Sequence, residues 1–271
     1  MPELPEVETT RRGIEPHIVG QTVKSVVLHE TRLRWPVSPQ LPALLRQRKL
    51  LSVKRRGKYL LLQFTHGHTL IHLGMSGSLQ IVPSTSLPKK HDHVDIAFSS
   101  GVVLRLNDPR RFGAVLWTGD PLCEHKLLKN LGPEPLSEAF NVDYIYPRSR
   151  RRKQAVKTFI MDSKIVVGVG NIYANEALFL AGIRPSRAVG TLSHAKFVLL
   201  VEHIKAVLCK AIKQGGTSLR NFVGSDGKPG YFKQQLLVYG RAGEACVTCQ
   251  KALKEVRLAQ RSTVYCTACQ R

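Results

Sequence analysis

Four of the chain's six cysteines fall in its last 26 residues, in the stretch CVTCQKALKEVRLAQRSTVYCTAC. Cys246 and Cys249 stand two residues apart, sixteen residues follow, and Cys266 and Cys269 repeat the spacing. Each pair places two thiolates on one tight turn, and a hairpin joining two such turns supplies the four soft ligands of a closed tetrahedral zinc site. With protein filling every position, the zinc is structural. The competing reading, two disulfides, belongs to a secreted chain, and no signal-peptide pattern is present. A segment of this kind folds around its metal. Its hairpin carries Arg257, Gln260, Arg261 and Ser262, a rigid finger that brings basic groups toward phosphate. The other two cysteines are isolated, and neither suggests catalysis. Cys209 sits in an apolar helical pattern and is expected to be a buried thiol.

Charge narrows the partners. Lys and Arg number 41 against 19 Asp and Glu, a formal net charge of +22. Such a field attracts polyanions, and nucleic acid is the obvious one, because phosphate neutralisation releases counterions. An anionic membrane surface competes, but no long apolar span or lipidation motif occurs, so a soluble, cytoplasmic chain is expected. The length of 271 residues allows one large domain or two to three smaller ones.

Up to about Trp117 the apolar runs are strand-like: KLLSVKRRGKYLLLQF, HTLIHLGMSGSLQIV, HVDIAFSSGVVLRLND and FGAVLW, separated by Gly-containing turns. This pattern predicts a β-sandwich or barrel. GDPLCEHKLLKNLGPEPLS follows, with a hinge expected around Gly132, Pro133 and Pro135. Beyond it the period becomes helical. Phe197, Leu200, Val201, Ile204, Leu208 and Ala211 form one stripe that Gly215-Gly216 stops. VVGVGNIYANE lacks the third glycine of a dinucleotide fingerprint, Tyr173 standing in its place, and reads instead as a tight turn before a helix that offers Asn171 and backbone N–H groups to a phosphate. Just upstream Arg148, Arg150, Arg151, Arg152, Lys153 and Lys157 crowd together without an acid; a solvated face is the bland reading and phosphate contact the favoured one. In His91-Asp92-His93 a metal pair lacks a nearby third ligand.

The opening MPELPEVETTRR supports two readings. Pro5, Glu6 and Glu8 in a first turn, with Val7, Arg11 and Ile14 at helical spacing, suit a plain helix start. Alternatively, removal of Met1 exposes Pro2 as a secondary amine with a pKa near ~8, a nucleophile with Glu3 beside it as proton donor.

Taken together, MPELPEVET, RRGKYL, HLGMSG, KHDHVD, NDPRRFG, LGPEP, VVGVGNIYANE, SDGKPGYF and QRSTVYCTACQ resemble, in order and over essentially the whole chain, the bacterial formamidopyrimidine-DNA glycosylase family. The resemblance implies an α+β, multidomain protein: a catalytic β-sandwich over 1–118, a linker over 119–137, a helical helix-two-turns-helix DNA-binding domain over 138–236 and a zinc finger over 237–271. It implies a monomeric base-excision repair enzyme that removes oxidised purines from double-stranded DNA and then cleaves the abasic site, with one structural zinc ion. On this likeness Pro2 is the nucleophile, Glu3 protonates the sugar ring oxygen or the base, Lys58 is the proton donor of β-elimination and Arg261 serves δ-elimination. An arginine is a reluctant proton donor, which favours phosphate binding for Arg261. The motifs also imply a wedge of Met75 with Arg110 and Phe112, in which the Met75 chain and the Phe112 ring occupy the stack vacated by a flipped nucleotide and the Arg110 guanidinium bonds to the orphaned base. His91, Arg110 and Arg152 match DNA contacts, Asn171 matches a phosphate contact, and the stretch from Thr217 to Phe232 resembles a loop that closes over the flipped base. Thr158 departs from the proline frequent at that place, which puts the local helix geometry and a base contact by Lys157 in question. Two rivals stay open. The sister glycosylase acting on oxidised pyrimidines is disfavoured by PELPEV and RRGKYL; a catalytically silent zinc-ribbon DNA binder is disfavoured by the intact Pro2, Glu3 and Lys58.

Overall fold

The computed structural model describes residues 2–216 and 236–271, so Met1 and the Thr217–Phe232 stretch lie outside the described residues. These residues divide into two compact units, 2–130 with 214–216 and 131–213 with 236–271.

The first unit opens with helix α1 (Leu4–Ile18), which buries Leu4, Val7, Ile14 and Ile18 on one face. The Glu6 carboxylate accepts the Glu3 backbone N–H at 2.8 Å, one arm of a capping box that satisfies donors orphaned at the helix start. After strand β1 (Val23–Leu28) and the short helix α2 (Leu41–Leu45) come β2 (Leu50–Arg56), β3 (Tyr59–Phe64), β4 (His68–His72), β5 (Ser78–Pro83), β6 (Asp92–Phe98), β7 (Val102–Asn107) and β8 (Ala114–Thr118). They form two four-stranded sheets of order β1-β6-β7-β5 and β2-β3-β4-β8, with every pairing antiparallel. Leu79, Ile96, Leu104 and Leu106 of one sheet and Val53, Leu60, Leu62 and Phe64 of the other share a single buried core with α1. This is the sandwich that the strand-like runs predicted. Truncating a ring such as Phe64 to Ala would cost about 3–5 kcal/mol.

The second unit contains α3 (Val142–Ser149), α4 (Val156–Ile160), α5 (Asn171–Leu180), α6 (His194–Lys213) and a two-stranded finger, β9 (Lys254–Leu258) and β10 (Arg261–Tyr265). Asn141 caps α3, its side chain accepting the Tyr144 N–H at 2.9 Å. All six residues of the apolar stripe of α6 are buried, and the helix ends before Gly215 and Gly216, at φ 75° and 80°. Cys209 corrects an expectation. It is exposed, because it lies one residue past Leu208 and so points about 100° away from the stripe. Gly132 and Pro133 pack against the 163–167 stretch: the Gly132 N–H donates to the Ser163 carbonyl at 2.8 Å, and the Pro133 carbonyl accepts from Val167 at 3.1 Å. No described helix is long and apolar enough to cross a membrane.

Candidate functional site

Pro2 and Glu3 are both buried at the start of α1. Lys58 occupies the two-residue turn Gly57-Lys58 between β2 and β3, where Gly57 adopts φ 57°. Arg55 ties this turn to α1, donating to the Gly57 carbonyl at 2.9 Å and pairing with Glu8 at 3.2 Å. Burial opposes ionisation of Glu8, but hydrogen bonds from Arg11 and Arg12 and the charges of Arg11 and Arg55 win and hold its carboxyl below the usual range. Next to Lys58, Tyr59 pairs across the sheet with His72, their rings 5.0 Å apart.

The loops after β4 and β7 meet in the same unit. Met75 and Phe112 are exposed, at 39% and 40%, which for large apolar side chains means that no core holds them. Met75, otherwise easily taken for core, is presented by a turn in which a Cβ on Gly74 would collide with the Phe112 backbone. Arg110 stacks its guanidinium 4.8 Å from the centroid of the Phe112 ring. The ring also borders a cavity of about 180 Å³ lined by Arg34, Trp35, Tyr59 and His72. His91 takes φ 76° at the mouth of β6, beside a register shift between Asp92 and Val94 that re-aims the strand end. His93 Nε2 lies 2.7 Å from the Asp108 carbonyl oxygen, and Asp92 accepts from Asn107 at 2.7 Å. Among the described residues the only group of three or more potential metal ligands is the cysteine cluster, so His91 and His93 remain without a third.

In the second unit the basic run does not act as one face. Arg151, Arg152 and Lys153 are exposed. Arg150 instead stacks 4.1 Å over Tyr146 and donates to the Leu192 carbonyl at 2.9 Å. Lys157 is only 1% exposed, and its ammonium donates to the Ser262 carbonyl at 2.9 Å and to Thr263 Oγ1 at 2.6 Å. The favoured phosphate contact is therefore corrected for Lys157, whose charge is spent on the finger. Asn171 opens α5 behind Gly170, as the tight-turn reading requires, and its Nδ2 donates to the same Ser262 carbonyl at 2.9 Å. Asn175 Oδ1 accepts the Val264 N–H at 3.0 Å, so three side chains of α4 and α5 hold β10. Glu176 accepts the backbone N–H groups of Leu237, Val238 and Tyr239 at 2.8, 3.0 and 2.9 Å, securing the segment that leads into the finger.

In the finger, Ala259 and Gln260 at φ 47° and 61° make a two-residue turn whose strained backbone puts exposed Arg261 at the hairpin tip. At its base the four cysteine sulfurs lie within 4.8 Å of one another, with Cys246 to Cys269 at 3.9 Å and Cys249 to Cys266 at 3.4 Å. Tetrahedral Zn–S bonds of ~2.3 Å require sulfurs about 3.8 Å apart. The four thiolates fit one structural zinc ion, and the buried Cys246 and Cys266 close it from solvent.

The fold and this cluster invite comparison with known proteins. Family models match the formamidopyrimidine-DNA glycosylase N-terminal domain over residues 1–115, the H2TH domain of that enzyme over 131–223, and the zinc finger found in FPG and IleRS over 243–271. The formamidopyrimidine-DNA glycosylases of Saccharophagus degradans and Teredinibacter turnerae are 59% and 60% identical over 271 residues, covering 100% of both chains. The chain belongs to the formamidopyrimidine-DNA glycosylase family. Among solved structures of the family, Lactococcus lactis Fpg bound to DNA containing an abasic site superposes with a TM-score of 0.93 at 34% identity, over 100% of each chain. A Lactococcus lactis FPG mutant bound to DNA containing Fapy-dG gives 0.93 at 33% identity, also over 100% of each. MutM of Thermus thermophilus gives 0.89 at 35%, covering 99% of this chain and 98% of that one.

Within this family member, the first unit gathers Met75, Arg110, Phe112 and His91 around the 108–113 loop, and the second joins Asn171 to the strand of Arg261 through Ser262. Three further residues escape a sequence reading. His72 and Asp108 lie inside the motifs HLGMSG and NDPRRFG, but their partners are backbone amides and a hydroxyl, which carry no sequence signal. Glu176 likewise serves only main-chain N–H groups.

Proposed function

We propose that the chain removes oxidised purines, 8-oxoguanine and formamidopyrimidines, from double-stranded DNA and then cleaves the resulting abasic site by β,δ-elimination. The observation that carries the reading is the placement of Pro2 and Glu3, side by side and buried at a capped helix start, with the Lys58 turn tied to the same helix through Arg55. With Met1 removed, the Pro2 secondary amine attacks the deoxyribose C1′; the glycosidic bond breaks and the base departs with its electron pair. Glu3 supplies the proton, to the ring oxygen or the base. The amine loses its proton and the C1′–O4′ bond breaks, its electron pair going to the ring oxygen, which leaves an iminium at C1′. This makes a C2′ proton acidic; water takes that proton, the C3′–O bond breaks with its electrons on the departing 3′ phosphate, and Lys58 serves as proton donor in this elimination. A second elimination expels the 5′ phosphate, and water hydrolyses the iminium to regenerate Pro2.

Met75 and Phe112 fill the vacated stack and the Arg110 guanidinium bonds to the orphaned base, offsetting an unstacking cost of a few kcal/mol. His91, Arg152, Asn171 and Arg261 hold phosphate and base edges. Four functional divisions follow: a catalytic part over 1–118, a linker over 119–137, a DNA-binding helical part over 138–236 and the finger over 237–271. Such a substrate places the enzyme on the bacterial chromosome, in the cytoplasm, working as a monomer.

Borohydride added during turnover should reduce the iminium and leave one covalent protein–DNA adduct whose peptide begins at residue 2. Lysine is the rival amine, but its pKa near ~10.4 leaves about two powers of ten less free base at neutral pH than an α-amine near ~8. Peptide mapping that places the adduct on Lys58 would overturn the mechanism.

A further inference from the structure

Asp108 is fully buried, and every polar atom it owns is engaged with a segment that carries a proposed DNA contact. Its carboxylate accepts the Ser76 hydroxyl at 2.7 Å through Oδ1 and the Gly113 N–H at 2.7 Å through Oδ2. Its backbone N–H donates to the His91 carbonyl at 2.9 Å, and its own carbonyl accepts the Arg111 N–H at 3.1 Å and lies 2.7 Å from His93 Nε2. Ser76, oriented by Asp108, accepts the Arg110 N–H at 3.2 Å. The anchored residues are thus Ser76 beside Met75, Arg110 itself, Gly113 beside Phe112, and His91.

No core holds the exposed groups, whose other supports are the Arg110–Phe112 stack, the Gly74 N–H bond to His72 Nδ1 and an Arg111–Glu30 ion pair at 3.1 Å. Met75 and Phe112 project into solvent, His91 and Arg111 hold left-handed φ of 76° and 56°, and the Gly113 backbone has no room for a side chain, a Cβ there meeting the His72 carbonyl at 2.9 Å and Asp108 Oδ2 at 3.0 Å. Strained backbone of this sort persists only where the surroundings over-determine it. An acidic side chain is the right choice, since both carboxylate oxygens face donors and an amide could satisfy only one of them.

We propose that Asp108 is the positioning residue of the duplex-invading face: it sets the Met75 turn and the Arg110–Phe112 loop in one fixed relation, so that they enter the base stack as a single body. It touches no reacting atom. This inference rests on the reading of Met75 and Phe112 as the groups that fill the vacated stack and of Arg110 as the partner of the orphaned base.

The test compares two substrates that differ in the need to open a stack. Asp108→Asn should slow single-turnover excision of 8-oxoguanine from a duplex about 100-fold, since it turns the Gly113 N–H toward an amide donor and weakens the Ser76 bond. Cleavage of an abasic site in a single-stranded oligonucleotide, which has no stack to fill, should stay within about threefold. In a Met75→Ala/Phe112→Ala background the same change should cost less than about threefold on the duplex, because a support with nothing to support is silent. Ser76→Ala, which deletes one hydroxyl, should slow duplex excision about tenfold, and Ser76→Thr should restore it; this pair decides the matter if Asp108→Asn fails to fold. Equal losses on both substrates, or full additivity with the double alanine variant, would overturn the role of Asp108. If the double alanine variant excises from duplex DNA at the wild-type rate, the stack-filling reading itself fails.

Discussion

His72 makes folding of the first unit sensitive to mild acid. Its ring is largely desolvated, and the nearby cations Lys58 and Arg34 oppose a further positive charge more than Asp108 favours one, so its pKa falls from 6.5 to about 4. The neutral ring is also needed structurally, because Nδ1 accepts the Gly74 N–H at 3.0 Å and so shapes the turn that presents Met75. Between pH 6.5 and about 4 the unfolded chain protonates this imidazole while the folded chain does not. Stability is therefore complete above pH 6.5 and is lost as pH falls toward 4. At ~1.4 kcal/mol per pH unit the ceiling is about 3 kcal/mol, and partial solvent access to the ring lowers the expectation to about 2 kcal/mol. In His72→Asn the side-chain carbonyl stands near the place of Nδ1 and keeps the acceptor, but it cannot titrate. Thermal unfolding of both proteins at about pH 7.5 and about pH 4.5 should show the wild type losing about 5–10 °C more than the variant over that interval. Parallel losses would refute the argument, since all other titrating groups are common to the two chains.

Two further outcomes follow from the second unit. Lys157→Met removes the donors to Ser262 and Thr263 and should loosen the finger by about 2–3 kcal/mol, read as faster zinc release to a chelator; an unchanged rate would show that the ammonium does not hold the hairpin. Arg152→Glu should weaken damaged-duplex binding and make the slope of log K against log salt shallower by about 0.9, the share of one neutralised phosphate, and an unaltered slope would remove Arg152 from the phosphate set.

Periodicity made much of this architecture legible. The runs at 49–64, 68–82, 93–108 and 112–117 became seven strands, and the α6 stripe was correct residue by residue. Strand β1 escaped because its burial follows no strict alternation, only Val23 and Val26 being buried, and α2 because five residues are too few to show a period. The zinc site was legible because its geometry is written in spacing. Lys157 was misread since a lysine among arginines looks solvated, and only the strand it meets, more than a hundred residues later in the chain, supplies acceptors that make its burial tolerable. Asp108 and Glu176 belong to the same class, buried acids whose partners are main-chain groups and a hydroxyl.

The way β10 is held bears on how far the finger is a module. Zinc closes only its base, whereas the Ser262 carbonyl, Thr263 hydroxyl and Val264 amide are completed by Lys157, Asn171 and Asn175. Farther along, Gln270 donates to the Ile183 carbonyl at 2.9 Å, and Arg184 donates its N–H to the Arg271 carbonyl at 3.1 Å. A finger excised at residue 237 would keep all four cysteines but expose each of these groups to water, freeing the strained Ala259-Gln260 tip to relax and Arg261 to wander. For chimaeras between relatives, the transferable cassette is therefore α4, α5 and the finger exchanged together, with position 157 kept matched to the strand it grips.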